Sequence, residues 1–207
     1  MVQLNQLAFN SFLQQLGQQF LWRKAYACPC LTSHSGQPKI NCPQCFGRGR
    51  FWDEGITGVA GVITHAQAKR QAAFGLWDEG DIALSIPADS ALYEIGYYDR
   101  VSCLDRTEPF SITFTYGVND TLRFVPTVIE RLTWLDEAEQ LVEGEVPFVD
   151  PQGELLWGEV MPPVKTAYAL TGRRVPEYFC YQDMPLDRPH HAGALLPRRV
   201  QLRRFEL

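Results

Sequence analysis

No stretch of this chain approaches the roughly 18 consecutive apolar residues that a membrane-spanning helix needs, and the N-terminus has neither the charged start nor the apolar centre of a secretory signal. We therefore expect no membrane partner, with synthesis and first folding in the cytosol. Catalytic signatures are missing too. The sequence has no H-E-x-x-H pair and no G-x-S-x-G elbow, and Gly47-Arg-Gly49 is too short for a phosphate-cradling loop. Histidine is scarce, at four in 207 residues. His65 follows a β-like Val-Ile-Thr run and reads as a surface or packing residue. His190-His191 lies in a proline-rich stretch; it can bind metal but reads as solvated. The adjacent acids Asp78-Glu79 and Asp136-Glu137 point to opposite sides of an extended chain and do not converge on one substrate. We expect no enzyme. The net charge of −5 also argues against a histone-like, polyanion-coating protein.

What the chain does have is a cysteine cluster. Four of its six cysteines, Cys28, Cys30, Cys42 and Cys45, are arranged as C-P-C-x11-C-P-Q-C-F-G-R-G-R. Two short cysteine hooks separated by about a dozen residues can deliver four thiolates to the tetrahedral corners that zinc prefers. Gly47 and Gly49 follow the second hook at a spacing that resembles one C-x-x-C-x-G-x-G unit of the DnaJ-type zinc domain, although the first hook here is C-x-C. Glycine at those positions permits positive φ and frees backbone N–H groups to point at sulfur. The alternatives are two disulfides, which need an oxidising compartment, or four free thiols. His34, in the intervening loop, is a substitute ligand in principle. With four protein ligands such a site is structural and does not activate water.

Around this cluster the charge is segregated. Residues 23–70 carry seven basic side chains against Asp53 and Glu54, residues 130–159 carry nine acids against Arg131, and residues 173–207 carry seven arginines against four acids. Such a pattern is either ordinary solvated surface or a means of aligning copies head to tail. The first 22 residues read as a helix with an apolar stripe of Phe9, Phe12, Leu13, Leu16 and Phe20. Its other face is rich in glutamine, suited to packing on another subunit or on its own core.

Beyond the cluster the pattern is β. Ile82, Leu84 and Ile86 alternate up to Pro87. Ser111–Tyr116 and Leu122–Val125 read as a hairpin about Gly117-Val-Asn-Asp120, and Pro147–Val149 with Leu155–Trp157 as a second about Asp150-Pro-Gln-Gly153. Further strands are expected at 127–134, 167–171, 177–181 and 199–205, with Cys103 and Cys180 as buried thiols. In the last of these, Val200 and Leu202 face one way and Arg199, Gln201 and Arg203 the other. The expected fold is mainly β: a sandwich or barrel of short antiparallel strands with an N-terminal α-helix and a small zinc-knuckle lobe. The divisions are 1–24 (helix), 25–55 (four-cysteine zinc-knuckle lobe) and 56–207 (β-rich domain with a basic C-terminal strand).

The run Gly80–Arg100, with Pro176-Glu-Tyr-Phe-Cys180 and Leu196–Leu202, resembles virion structural proteins of tailed bacteriophages that open with a helix and a cysteine segment and continue in short strands. The resemblance implies a non-enzymatic, ring-forming role in the virion, at the neck between portal and tail, as adaptor, stopper or tail terminator. A baseplate position is the alternative. Its implied partners are copies of itself and the neighbouring portal, adaptor and tail proteins, with DNA at most in passing. The rival reading is a zinc-knuckle nucleic-acid-binding module using Arg48, Arg50, Phe51 and Trp52 for phosphate and stacking contacts.

Overall fold

Gly17 divides the N-terminal segment in a way its apolar stripe does not announce. In the computed structural model, which describes residues 6–63, 80–118, 122, 124, 126–150, 154–184, 190–191 and 193–205, the helix α1 (Gln6–Leu16) stops there and β1 (Gln18–Arg23) begins. The Gly17 amide donates to the Leu13 carbonyl at 2.7 Å. A β-carbon at residue 17 would lie 2.2 Å from that same oxygen and 2.6 Å from Val59 Cγ1, so the chain turns where only glycine fits. This corrects the expected helix over the first 22 residues. Phe20 belongs to a strand, where it is fully buried. On α1, Leu13 and Asn10 face inward, whereas Phe9, Phe12 and Leu16 remain exposed.

The remaining elements are β2 (Ala25–Ala27), β3 (Arg50–Trp52), β4 (Ile56–Val62), β5 (Ile82–Ile86), a 3₁₀ turn (Ala91–Glu94), β6 (Arg100–Cys103), β7 (Glu108–Thr115), β8 (Pro126–Leu135) and β9 (Leu141–Glu143). They continue with β10 (Phe148–Val149), β11 (Leu155–Leu156), β12 (Ala167–Arg174), β13 (Glu177–Met184), β14 (His190–His191), β15 (Ala194–Leu195) and β16 (Arg198–Arg204). The protein is mainly β, as its alternating patterns predict.

Two compact units divide the chain: residues 1–105 with 177–206, and residues 106–176 with 207. The first therefore takes in the segments 1–24 and 25–55 and parts of 56–207. It is built on a closed antiparallel barrel in the order β1-β4-β5-β16-β13-β6. Closure leaves no unpaired edge. Phe20, Leu84, Ile86, Val101, Val200 and Leu202 fill its core. Cys103 and Cys180 are buried there as expected, and burial pushes the Cys180 thiol up to about 12. Gln201, on the opposite face of β16 from Val200 and Leu202, is also buried.

The second unit is a sheet in the order β7-β12-β8-β9 with the small hairpin β10-β11. That hairpin is the one expected about residues 150–153: Val149 pairs with Leu155, and the Asp150 carboxylate accepts from the Glu154 amide. The turn and much of the second strand of the hairpin expected between 111–116 and 122–125 lie outside the described residues; among those described, β7 pairs along its whole length with β12. Phe110, Leu132, Trp134, Tyr168 and Leu170 make this unit's core. His190 and His191 lie in a short hairpin with Ala194 and Leu195. His65 and the Asp78-Glu79 pair lie outside the described residues.

Candidate metal centre

The lobe that carries the cysteines has almost nothing else to hold it. Its stem is the two-stranded ladder of β2 and β3, with Tyr26 opposite Phe51 and their rings stacked at 5.6 Å. The Cys28 amide extends that ladder by donating to the Gly49 carbonyl at 2.8 Å. The loop between the hooks closes on an isolated bridge, Leu31 to Pro38, and the Lys39 amide donates to the Cys30 carbonyl. The second hook is a tight turn in which the Phe46 amide bonds the Cys42 carbonyl and the Arg48 amide bonds the Cys45 carbonyl. Gly47 and Gly49 adopt φ of 80° and 73°, the left-handed conformation their spacing predicts. At Gly49 a β-carbon would meet Pro38 Cγ at 2.6 Å.

This path gathers all four predicted ligands. Their sulfur atoms lie within 4.8 Å of one another, with Cys28 to Cys42 at 3.7 Å and Cys30 to Cys45 at 3.4 Å. Zinc–sulfur bonds of about 2.3 Å at tetrahedral angles place sulfurs roughly 3.8 Å apart, whereas a disulfide needs about 2.05 Å. None of the six cysteines is in a disulfide, and the four clustered ones are spaced so that they could share a metal ion such as zinc. His34 is exposed and takes no part in the cluster.

The electrostatics of the site point the same way. Backbone N–H groups of Cys45 and Gln44 aimed at Cys42 lower its thiol to about 6. Burial, reinforced by the neighbouring thiols, pushes Cys30 up to about 12. At Cys28 the Cys30 amide lowers the pKa, but burial and the other thiols outweigh it and the net shift is upward. Crowded acids resist a second ionisation once the first has occurred. A bound dication removes that resistance, so this donor set could hold a metal ion such as zinc.

The cysteines and Phe51 are the lobe's own core, and the barrel supplies the rest of its support. Asp99, buried just before β6, accepts from the Trp22 indole at 2.8 Å, the Ala25 amide at 2.7 Å and the Gly96 amide at 2.8 Å. Tyr98, held at φ of 67°, offers its carbonyl to the Trp52 indole and its ring to the Arg50 guanidinium at 3.8 Å. The Arg100 guanidinium lies between the rings of Trp52 and Phe205, at 4.0 and 3.8 Å. Arg50 and Trp52 thus pack the lobe onto the barrel, Phe51 stays within the lobe, and Arg48 is exposed. Between lobe and barrel lies a cavity of about 500 Å³ lined by arginines.

Sequence reasoning missed Asp99 and Arg100. The available signal was a charged pair abutting the apolar start of β6, where an unpaired charge is costly and a partner is therefore required. No known protein-family model matches the chain, and no curated protein is significantly similar to it.

Proposed function

We propose that the protein is a non-enzymatic structural component of a tailed-phage virion, one subunit of a multimeric ring at the head-to-tail junction. The observation that carries the assembly reading is α1. Leu7, Phe12 and Leu16 are 82%, 54% and 71% exposed, a concentration of apolar surface that a neighbouring subunit would cover. Closed and sheet-based β modules, segregated charge and the sequence resemblance are consistent with a rigid ring subunit. In this reading the four-cysteine site holds zinc as a structural ion. Four thiolates fill its coordination sphere, and the metal stands in for the hydrophobic core that the small lobe lacks.

Native mass spectrometry of the reduced, purified full-length chain tests both parts. One zinc per chain and a discrete oligomer are expected, with Phe12→Ser combined with Leu16→Ser shifting the oligomer to monomer while the melting temperature is held. Immunogold labelling of virions that contain the chain should mark the neck; labelling at the tail tip would move the subunit to the baseplate. A chain absent from particles would overturn the virion reading.

A further inference from the structure

We propose that the cavity between the four-cysteine lobe and the barrel is a phosphoryl-binding site that takes a nucleotide phosphate, either of a free nucleotide or within a single strand. This proposal stands apart from the ring reading and does not need it. Arg23 comes to the cavity from β1, Arg48 and Arg50 from the lobe, and Arg100 from β6. The acids that share the lining are Asp53 and Glu54. Behind the arginines, Glu177 sits 3.6 Å from both Arg23 and Arg100.

The convergence of four arginines on one cavity gives the strongest indication of a ligand. Arg100 is 6% exposed; its Nε and Nη2 atoms are buried without a hydrogen-bond partner, and its Nη1 pairs with Glu177 at 3.6 Å. The rings of Trp52 and Phe205 lie 4.0 and 3.8 Å from its guanidinium carbon and hold the side chain in place. Arg100 lines the cavity together with Arg23, Arg48 and Arg50, so four cationic side chains share the lining with two acids, a net positive surface that attracts an anion. About 500 Å³ is within the range of small-molecule sites.

The choice of phosphate over carboxylate follows from the number and origin of the donors. One guanidinium fork uses both oxygens of a carboxylate, whereas a phosphate presents enough oxygens for guanidinium groups arriving from three separate elements. An aromatic surface is also open beside them. Phe46, which lines the cavity, is 71% exposed at φ of 50°, and a base can stack on its free face. Trp52 is already covered by Arg100 on one face. The net charge of −5 opposes a long polyanion track, so the site accommodates one or two phosphates.

The test uses the full-length, metal-loaded chain and four probes: inorganic phosphate, AMP, a fluorescent dT tetranucleotide and a polyglutamate peptide. We expect AMP or the tetranucleotide to bind, with a salt slope of about −0.7 to −1.4 for the strand. Arg48 is exposed, so Arg48→Glu should weaken binding at least tenfold without moving the melting temperature. The charge-matched control Arg131→Glu should leave affinity unchanged. AMP binding as tightly as the tetranucleotide identifies a free nucleotide as the source; tetranucleotide binding alone identifies a strand. Equal binding of polyglutamate, a requirement for long strands with a steep salt slope, or no binding of any phosphate probe at millimolar concentration would each overturn the proposal.

Discussion

Cys42 is the residue on which the lobe's order turns. The N–H groups of Cys45 and Gln44 converge on its sulfur, and the surrounding core consists of little beyond the other thiols and Phe51. In the proposed zinc reading, where metal binding is coupled to folding of so small a lobe, Cys42→Ser should release the metal and open residues 28–52 to protease while the barrel's melting persists. Unchanged cleavage between Cys28 and Trp52 would show that the lobe holds without the fourth sulfur. Cys180 offers a separate, pH-dependent readout inside the barrel. Burial keeps its thiol protonated up to about 12, against an ordinary value of 9.0. The unfolded chain therefore loses this proton first, and the stability tied to it is whole below pH 9 and drains as the pH rises toward 12, at no more than about 1.4 kcal/mol per pH unit. Cys180→Ala should consequently cost stability near pH 7.5, with the gap to the parent shrinking above pH 9 in paired thermal melts. A constant gap would remove the buried-thiol account. At this scale the gathering of the four cysteines and the two left-handed glycines were legible, because hook spacing and turn chemistry are local. Asp99 and Arg100 were not, because Asp99 finds its partners Trp22 and Ala25 more than 70 positions away.

Among the elements, the junction of α1 and β1 shows how one glycine overrides a periodic pattern. Phe9, Phe12, Leu13, Leu16 and Phe20 fit one helical stripe, yet Phe20 pairs with Gly58 on one side and Cys103 on the other as part of the barrel wall. Burying Phe20 in the core is worth about 2 kcal/mol or more relative to exposure, and the stop at Gly17 makes that placement possible. Gly17→Ala should force its methyl group into the Leu13 carbonyl and Val59, with an expected loss of about 2 kcal/mol from overpacking, read as a lowered denaturant midpoint at unchanged slope. A variant as stable as the parent would mean that helix and strand can part without this close approach. Strand positions were otherwise readable from alternation at Ile82–Ile86, Ala167–Arg174 and Arg198–Arg204. Pairing was not. β7 and β8 follow one another in sequence, but β12 inserts between them, and nothing in the alternation of either strand records which neighbour it takes.

For the whole molecule, the order of contacts suggests that one unit is an insertion in the other. The sheet unit draws its strands from one uninterrupted stretch, residues 106–176, whereas the barrel cannot close until β13 and β16 reach β6 and β5. Where the chain leaves and re-enters the barrel, β6 and β13 are antiparallel neighbours, with Ser102 opposite Glu177 and Val101 opposite Tyr178. The departing end is tethered as far as Asp105, whose carboxylate accepts from the Gln19 amide, while the Leu104 amide donates to the Gln19 carbonyl. The returning strand is tied by the Phe205 amide to the Glu177 carbonyl. Two adjacent antiparallel ends need only a turn of about two to five residues to join them. Replacing residues 106–176 with such a glycine-containing turn should leave a chain that melts cooperatively, keeps a β-type circular dichroism spectrum and still binds one metal ion per chain through Cys28, Cys30, Cys42 and Cys45. The barrel would then fold faster, because closing β6 onto β13 no longer spans a long intervening loop. A shortened chain that binds metal but fails to melt cooperatively would show that the barrel depends on residues 106–176 for its order, and the two compact units would have to be treated as one folding unit.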